Sequence, residues 1–449
     1  MTVQDFASRC HGDLHGLAPN QLITGFALDS RKVEIGDLFL AIKGERSDGH
    51  DFVEDVVKAG ATGALVERPV SAPHILVPNL VQALAEFGRS KREEFNGPVV
   101  GVTGSNGKTT TKEFTAAALK PLGRVLKSPE NKNTEYTSPL VWAELDNQSS
   151  AVIEMAMRGF EQIRHLAKVS RPTIGIVTVI GTAHIEKVDS REGIMRAKAE
   201  LLEELPSTGT AVVWREDDFW AELCQRSNVP VRSFGFSQEA ECRILGYRAV
   251  SWDACVVRLQ LDGKVAEAKL PAIGRHQAQN AAAAVLAAHT AGVDVESATA
   301  QLHKAVLPPM RLEVVAVNGA TVLLDTYNAS PDSTVAAIHA LTEVPCSGRR
   351  IAVLGEMREL GDFTESGHRM VGRALIESPI DRVFLTGGPT RYIAEEAMMA
   401  GFPSAQMVND EALDIEHVRE FLHDLREGDV ALIKGSRALG LEAALEGLN

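Results

Sequence analysis

Short apolar runs alternate with amphipathic stretches between about residue 98 and residue 180. The apolar runs read PVVGVTG, SAVIEMAM and TIGIVTVI, and residues 108–120 and 161–170 between them have the spacing of helices. Runs that are rich in valine and isoleucine and separated by helical stretches are typical of parallel strands joined by crossover helices. The pattern predicts an α/β core with a parallel sheet in this part of the chain.

A second series of the same kind fills the C-terminal third. The runs TVLLD, RRIAVLG, DRVFLTGG and DVALIKGS have the composition of strands, and residues 391–400 and 415–426 have a helical pattern. This arrangement predicts a doubly wound, Rossmann-like domain, in which ligands bind beyond the carboxyl ends of the strands.

The chain divides into three predicted domains. Its 449 residues correspond to about three domains at the usual length of roughly 150 residues each. The N-terminal part has its own strands, LFLAIKG and GATGALVE, followed by the amphipathic stretch NLVQALAEFGRSKREEF, and the pair Pro308-Pro309 breaks both helix and strand patterns. We therefore predict a small α/β domain at 1–82, a central parallel-sheet domain at 83–307 and a Rossmann-like domain at 308–449.

The net charge and the cysteine content restrict the expected binding partners and the expected cellular compartment. The 60 acidic and 46 basic residues give a net charge of −14, which disfavours nucleic acid and anionic membranes as partners and requires a local basic pocket for any anionic substrate. The start of the sequence lacks the basic and apolar regions of a leader, and no run approaches the ~18 apolar residues of a membrane helix. An odd number of cysteines without a C-x-x-C pair fits a reducing compartment, so we expect a cytoplasmic protein without membrane insertion. The cysteines are Cys10, Cys224, Cys242, Cys255 and Cys346.

The stretch GVTGSNGKTTTKEF, residues 101–114, stands between an apolar run and a helical pattern. In this context a glycine-rich turn lets backbone N–H groups surround a phosphate, a lysine reaches the β- and γ-phosphates, and a hydroxyl holds Mg²⁺. The loop is a variant, because Val102 stands where the common motif has its first glycine. A glycine-rich turn without a ligand would not explain the Lys108-Thr109 pair, so we predict phosphate binding. The predicted nucleotide contacts here are Gly104, Ser105, Asn106, Gly107, Lys108, Thr109 and Thr110.

Other residues that could bind a metal or take part in catalysis lie at the ends of predicted strands or on a predicted helix. Glu154 ends an otherwise apolar run, where an acidic side chain is costly unless it is paired or binds a cation. His184 follows the next run, and Lys198 lies on the helical stretch GIMRAKAELLEEL. A lone histidine is usually a core or cap residue, and a helical lysine is usually solvated, so the residues alone leave both roles open. The P-loop itself leaves open a hydrolase, a kinase, a switch or a ligase.

Together these elements resemble the Mur ligases, ATP-dependent enzymes that form amide bonds in peptidoglycan precursor synthesis. The segments TGSNGKTTTK, NKNTEYTSPL, IGTAHIEKVDSREGIMRAKAEL, GRHQAQNAAAA and KGSRALGLE occur in the order of the family and cover most of the chain. The N-terminal segment DSRKVEIGDLFLAIKGERSDGHDF is similar to the UDP-substrate domain of the family.

The resemblance implies roles for individual residues. It implies that ATP lies between the central and C-terminal domains, with two Mg²⁺ ions held with the help of a carbamylated lysine. The residues with catalytic roles would be Lys108, His184 and Lys198, and the metal set would be Thr109, Glu154, His184 and Lys198. Adenine would meet Asn280, the phosphates Arg311 and the ribose Asp325, with Asn328 also in the ATP site. The UDP-substrate contacts would be Ser30, Arg31, Asp48 and His50.

The segments LLDTYNASPDS and VLGEMRELGDFTESGH resemble those family members that join D-alanyl-D-alanine to UDP-N-acetylmuramoyl-tripeptide. The resemblance therefore implies an ADP-forming ligase that works through an acyl phosphate, and we expect a monomer. Two alternatives stay open at this point. One is a related ligase, of the Mur or folylpolyglutamate type, that adds a single amino acid. The other is a P-loop regulatory ATPase, which would need neither the full metal set nor a UDP-substrate domain.

Overall fold

The structure, a computed structural model, describes residues 1–44, 47–130 and 132–448. Three β-sheets follow one another along the chain, and each is flanked by helices. The predicted three-domain α/β fold is therefore confirmed, whereas the domain limits after residues 82 and 307 stay a prediction.

The N-terminal part forms a five-stranded sheet with three helices. They are β1 (Asp13–His15), β2 (Gly25–Ala27), β3 (Asp37–Leu40), β4 (Gly63–Val66), β5 (His74–Leu76), α1 (Val3–Cys10), α2 (Val53–Lys58) and α3 (Leu80–Glu93). The strand order is β1-β5-β4-β3-β2, with β1 antiparallel to β5 and the other neighbours parallel. The predicted connecting stretch is α3, which buries Phe87 against Phe6 of α1 with ring centroids 4.8 Å apart.

The central part forms a nine-stranded sheet. Its strands are β6 (Val99–Thr103), β7 (Val125–Lys127), β8 (Ser150–Glu154), β9 (Ile174–Val177), β10 (Thr210–Trp214), β11 (Val231–Gly235), β12 (Cys242–Ser251), β13 (Ala254–Leu261) and β14 (Lys264–Leu270). Its helices are α4 (Lys108–Ala118), α5 (Gln162–Ser170), α6 (Arg191–Glu203), α7 (Trp220–Arg226), α8 (Arg275–Thr290) and α9 (Val295–Gln301). The order is β14-β13-β12-β11-β10-β9-β6-β8-β7, so β6 lies between β9 and β8.

Most of this sheet is parallel, as predicted, and one end is antiparallel. The pairs from β7 to β12 are parallel, whereas β12, β13 and β14 form antiparallel pairs. The turn between β13 and β14 is Asp262-Gly263, with φ of 50° and 75°. Two left-handed residues of this type form the tight turn that matches strand twist, so the D-G pair was an available signal for this hairpin.

The C-terminal part forms a six-stranded sheet. Its strands are β15 (Glu313–Val317), β16 (Ala320–Asp325), β17 (Arg350–Gly355), β18 (Arg382–Thr386), β19 (Met407–Asp410) and β20 (Val430–Lys434), and its helices are α10 (Pro331–Glu343), α11 (Thr364–Ile376), α12 (Arg391–Met399) and α13 (Ile415–Leu422). The order is β15-β16-β20-β17-β18-β19, and only the β15–β16 pair is antiparallel among the described strands. Helix α13 ends before the predicted residue 426, because the N–H of Arg426 donates to Asp429 at 3.0 Å and turns the chain toward β20.

The central and C-terminal sheets are in direct contact. The apolar core that contains Ile185 and Val188 continues to Met357 and Leu360, so the two parts share a packed boundary. None of the helices that the structure describes combines the length and the apolar character that crossing a bilayer requires.

Candidate active site

The phosphate loop lies between β6 and α4. Gly104 has φ of 148° and Gly107 has φ of 78°, backbone conformations that L side chains rarely adopt. A Cβ at Gly104 would lie 1.8 Å from the Thr178 hydroxyl oxygen, and one at Gly107 would lie 2.5 Å from Asn280 Oδ1. Both glycines are therefore required by the local geometry, which keeps the backbone N–H groups free of side chains.

Lys108 begins α4 and turns back over this loop. Its Nζ donates to the carbonyl oxygens of Gly104, at 2.8 Å, and Ser105, at 3.2 Å. Burial lowers its pKa, while the charge of Glu154 raises it and that of Arg311 lowers it. The ammonium group is thus held at the loop by neutral carbonyl groups, which it can exchange for phosphate oxygens.

A cavity of about 1040 Å³ extends from this loop to the C-terminal sheet. Among the predicted site residues that the structure describes, Gly104 and Lys198 are not part of its lining, and neither are the four UDP-substrate residues. Those that line it are Ser105, Asn106, Gly107, Lys108, Thr109, Thr110, Glu154, His184, Asn280, Arg311, Asp325 and Asn328. The fold thus brings residues from two sheets to one space; Ser330 and Asn106, for example, are 224 positions apart and form a hydrogen bond at 3.2 Å.

Glu154 occupies the carboxyl end of β8, next to the phosphate loop. It is 2% exposed. Its Oε1 accepts a hydrogen bond from Asn133 Nδ2 at 2.9 Å, and its backbone N–H donates to Ser128 Oγ at 3.0 Å. Within the described residues, Oε2 is buried without a hydrogen-bond partner. A buried carboxylate oxygen of this kind costs stability unless a ligand satisfies it.

His184 meets Glu359 from the C-terminal sheet. Its Nδ1 lies 2.6 Å from Glu359 Oε2. Both residues have left-handed backbones, with φ of 63° for His184 and 60° for Glu359. Non-glycine residues held in this conformation are uncommon and cluster at functional sites. Burial lowers the pKa of His184, and the charge of Lys108 lowers it further, so the neutral imidazole, whose Nε2 is free of the Glu359 contact, is favoured.

Lys198 is buried on α6 and is 1% exposed. Burial lowers its pKa well below the ordinary value, the charge of Lys108 lowers it further, and Glu200 raises it. The side chain is therefore not the solvated lysine that helical lysines usually are, and its neutral amine form is favoured.

The side chains beside the phosphate loop fit a Mg²⁺ site. In the described part of the chain no group of three or more His, Cys, Asp or Glu side chains is arranged to hold a metal by itself. Mg²⁺ usually binds through one or two carboxylates together with phosphate oxygens and waters, so such a group is not required. Two oxygen donors of this kind are present, the unsatisfied Glu154 oxygen and the Thr109 hydroxyl, and the His184 imidazole lines the same cavity.

The C-terminal sheet contributes cationic and acidic groups. Arg311 Nη2 donates to Thr109 Oγ1 at 3.1 Å, and its guanidinium lies 4.0 Å from the ring centroid of Tyr327. Asp325 ends β16 and accepts a hydrogen bond from Lys434 Nζ at 2.6 Å, and the same ammonium donates to the carbonyl of Asn328 at 2.9 Å. A basic edge therefore faces the phosphate loop, as an anionic nucleotide requires.

Asn280 lies against the phosphate loop with its amide engaged. Its Oδ1 accepts from Thr111 Oγ1 at 3.2 Å, and its Nδ2 donates to Gln277 Oε1 at 2.9 Å. In this structure the side chain supports Gly107 and α4, and its implied contact with adenine stays a prediction.

The predicted UDP-substrate residues follow the carboxyl ends of neighbouring parallel strands. Ser30 and Arg31 follow β2, and Asp48 and His50 follow β3, so all four lie at the same edge of the N-terminal sheet. His50 Nδ1 lies 2.6 Å from Asp48 Oδ1, and His50 Nε2 accepts the N–H of Glu67 at 3.0 Å. The imidazole is thus fixed, with Nδ1 as its donor.

Residues that the sequence analysis did not single out also lie at the site. Asn133, Glu359 and Lys434 contact predicted site residues, and Asp332 lines the same cavity. Lys434 alone has a clear signal in the sequence, since a charged residue at the end of the apolar run DVALIK repeats the pattern that singled out Glu154. The other three lie in loops or at a helix start, where polar residues are ordinary.

Three family descriptions match this chain. Residues 22–92 match the catalytic domain of the Mur ligase family, residues 102–288 the Mur ligase middle domain, and residues 310–437 the Mur ligase glutamate ligase domain. The phosphate loop, Glu154 and the C-terminal edge of the cavity all lie within the matched segments. The chain belongs to the Mur ligase family.

Within that family, the chain resembles MurF. It is 33% identical over 461 residues to the UDP-N-acetylmuramoyl-tripeptide–D-alanyl-D-alanine ligase of Bacillus subtilis, covering 100% of this chain and 98% of the relative. Among solved structures, MurF from Acinetobacter baumannii has a TM-score of 0.87 at 30% identity, covering 99% of this chain and 97% of that one. MurF from Thermotoga maritima in complex with ADP has a TM-score of 0.81 at 31% identity, covering 96% of this chain and 98% of that one.

Proposed function

We propose that this chain is an ATP-dependent, ADP-forming ligase that joins D-alanyl-D-alanine to UDP-N-acetylmuramoyl-tripeptide in peptidoglycan precursor synthesis. The observation that carries the proposal is that one cavity is lined by the phosphate loop, Glu154 and His184 on one side and by Arg311 and Asp325 on the other. The similarity to MurF over the full chain supports the choice of substrates.

The reaction follows from the weakness of a carboxylate as an acyl donor. The terminal carboxylate of the tripeptide attacks the γ-phosphorus of ATP, the bond to the β-phosphate oxygen breaks, and an acyl phosphate and ADP form. The amine of D-alanyl-D-alanine then attacks the acyl carbon, loses a proton, and expels inorganic phosphate to leave the amide. Positioning and charge neutralisation are the main tasks of a protein in phosphoryl transfer.

The residues of the cavity would divide these tasks. Lys108 would exchange the loop carbonyls for β- and γ-phosphate oxygens, and Arg311, held beside Thr109, would bring a second positive charge to the phosphates. When bound, two Mg²⁺ ions would supply further charge neutralisation at the phosphate oxygens. The residues that would hold them are Thr109, Glu154, His184 and Lys198.

Lys198 would take part as a carbamate. A neutral amine adds to carbon dioxide and releases a proton, which produces an oxygen anion on a long arm, and hard cations prefer such a ligand. The burial of Lys198 and the nearby charge of Lys108 favour the neutral amine that this addition requires. A lysine cation at the same place would instead repel the metal.

The nucleotide would lie between the central and C-terminal sheets, with the ribose near Asp325. An enclosed site excludes water, which matters because an acyl phosphate hydrolyses readily. The UDP part of the other substrate would lie at the edge of the N-terminal sheet that carries Arg31 and His50. The cavity extends toward that sheet through Tyr136, which packs against the N-terminal core.

Asp332, at the start of α10, is one of the residues that link the central and C-terminal parts. Its Oδ2 accepts hydrogen bonds from the Thr182 N–H at 2.9 Å and from Thr182 Oγ1 at 2.8 Å. We expect Asp332→Ala to lower kcat/KM for ATP by about tenfold or more, since hydrogen bonds to a charged group contribute roughly 1.5–3 kcal/mol. Steady-state kinetics measures this effect. The matched control is Asp362→Ala, at an exposed residue of the same domain. Equal kinetics in both variants would contradict a role for Asp332 in linking the two parts.

Substrate dependence tests the proposed reaction directly. We expect phosphate release from ATP only when UDP-N-acetylmuramoyl-tripeptide and D-alanyl-D-alanine are both present. Turnover with a single amino acid and not with the dipeptide would instead assign the chain to the related ligases that add a single amino acid. Phosphate release that needs neither acceptor would favour a regulatory ATPase.

A further inference from the structure

A second lysine of α4, Lys112, lies one turn after Lys108 and is completely buried. Its Nζ donates to the carbonyl oxygen of Ser128 at 2.8 Å and lies 3.4 Å from that of Glu130. The same ammonium is 3.1 Å from Glu113 Oε1 and 4.0 Å from Glu154 Oε2. The phosphate-loop helix is thus tied through one buried cation to the segment that follows β7 and to the carboxylate at the end of β8.

The contacts of Lys112 converge on Glu154. Ser128, whose carbonyl is fixed by Lys112, accepts the backbone N–H of Glu154 through its Oγ at 3.0 Å. Asn133 holds Glu154 Oε1. Among the described residues, Glu154 Oε2 has no hydrogen bond. It does have an ion-pair partner, the Lys112 ammonium, at the longer distance of 4.0 Å.

Glu113 does not explain the buried ammonium by itself. Its Oε2 pairs with Lys127, which is 41% exposed, so this carboxylate already has a cation on the solvent side. A charged group buried among protein atoms is costly unless several partners satisfy it. The Lys112 ammonium has three N–H donors and lies within 4.0 Å of four oxygens, three of which belong to Glu154 or to the segment that supports it.

We propose that Lys112 is a positioning residue for the metal site: it fixes the Ser128–Glu130 segment and the Glu154 carboxylate, so that Oε2 faces the cavity to bind a divalent cation. This inference rests on the proposed function, because it takes Glu154 as a cation ligand. Groups that orient a metal ligand typically change metal affinity or activity by about 10- to 100-fold when they are removed.

The test measures binding of a divalent cation rather than turnover. Mn²⁺ is titrated into the full-length protein with saturating ADP, and free Mn²⁺ is followed by electron paramagnetic resonance. We expect Lys112→Met, which keeps the length of the side chain but not its charge or donors, to weaken Mn²⁺ binding by about tenfold or more. Lys127→Met removes the other cation of the same cluster without touching Glu154, and we expect its Mn²⁺ affinity to stay within about twofold of the wild type.

Thermal melting shows whether each Lys112 variant is folded, and Mn²⁺ binding is interpreted only for a folded variant. If Lys112→Met does not fold, Lys112→Gln, which retains a donor for the Ser128 carbonyl, is judged by the same affinity criterion. Unchanged or tighter Mn²⁺ binding in a folded Lys112 variant, or equal weakening in Lys127→Met, would overturn the proposal. Ligase turnover of the wild type with both substrates is measured separately, so a failure of the proposed reaction would be distinguished from a failure of the role of Lys112.

Discussion

Replacing Lys198 by alanine is expected to lower ligase turnover by about a thousandfold or more, because the variant lacks the anionic arm proposed to hold the metal at the phosphates. The side chain is 1% exposed and is near enough to Lys108 to feel its charge, so its removal leaves a space inside the protein on that side of the phosphate loop. Small carboxylates such as acetate can enter a space of this kind and place an oxygen anion there. We therefore expect added acetate to restore part of the activity, measured as phosphate release with both substrates present.

Two further variants separate the carbamate from other roles of Lys198. Lys198→Arg keeps a cation but cannot form a carbamate, and we expect it to be as inactive as the alanine variant. Lys168→Ala changes an exposed lysine of α5 and should retain full turnover. Full turnover in Lys198→Ala, with a normal melting temperature, would remove the carbamate from the mechanism.

The parallel strands and their helices could be predicted because buried strands have a distinct composition. The run SAVIEMAM became β8, and TIGIVTVI became β9. The antiparallel end of the central sheet was missed, although its turn Asp262-Gly263 and the Asn318-Gly319 turn between β15 and β16 both carry hairpin signals. A two-residue turn specifies a hairpin but not the sheet to which it adds.

The phosphate loop and Glu154 could be recognised in the sequence, because a glycine-rich turn and a charged residue that ends an apolar run have meaning along the chain, whereas the roles of the site residues stay a prediction. Their partners could not be predicted in the same way. Asp325 and Lys434 are directly opposite in the β16–β20 register, but this pairing depends on the strand order of the sheet. Sequence patterns do not give that order, since β16 and β20 are separated by three other strands along the chain.

Sequence patterns likewise could not predict whether a lysine side chain is buried or exposed. Lys198 and Lys168 both lie on amphipathic helices, yet one is buried and the other is exposed. The difference arises because Lys198 lies on the face of α6 that packs toward the phosphate loop, where the charge of Lys108 also acts on it. Only the packing of α6 distinguishes a candidate metal arm from an ordinary surface lysine.

Glu154→Gln is expected to lower turnover by about a hundredfold or more while leaving the fold as stable as the wild type. The amide retains an oxygen that can accept from Asn133 Nδ2, so the side chain can stay in place. It replaces the unsatisfied Oε2 by an NH₂ group, which is not a ligand for a divalent cation. The variant should therefore be slower in the phosphoryl transfer step, because less charge is neutralised there. Removal of one group that stabilises a transition state typically lowers the rate by about 10²–10³-fold.

The magnesium dependence of this variant distinguishes a metal ligand from a structural carboxylate. If Glu154 binds the cation, the Mg²⁺ concentration for half-maximal turnover should rise in Glu154→Gln. The melting temperature should not fall, because the amide is less costly to bury than a carboxylate whose Oε2 lacks a hydrogen bond. Glu144→Gln, at an exposed carboxylate, should change neither quantity. A Glu154→Gln variant with normal turnover and normal Mg²⁺ dependence would show that the cation is held elsewhere, and the roles assigned to His184 and Lys198 would then lose their common basis.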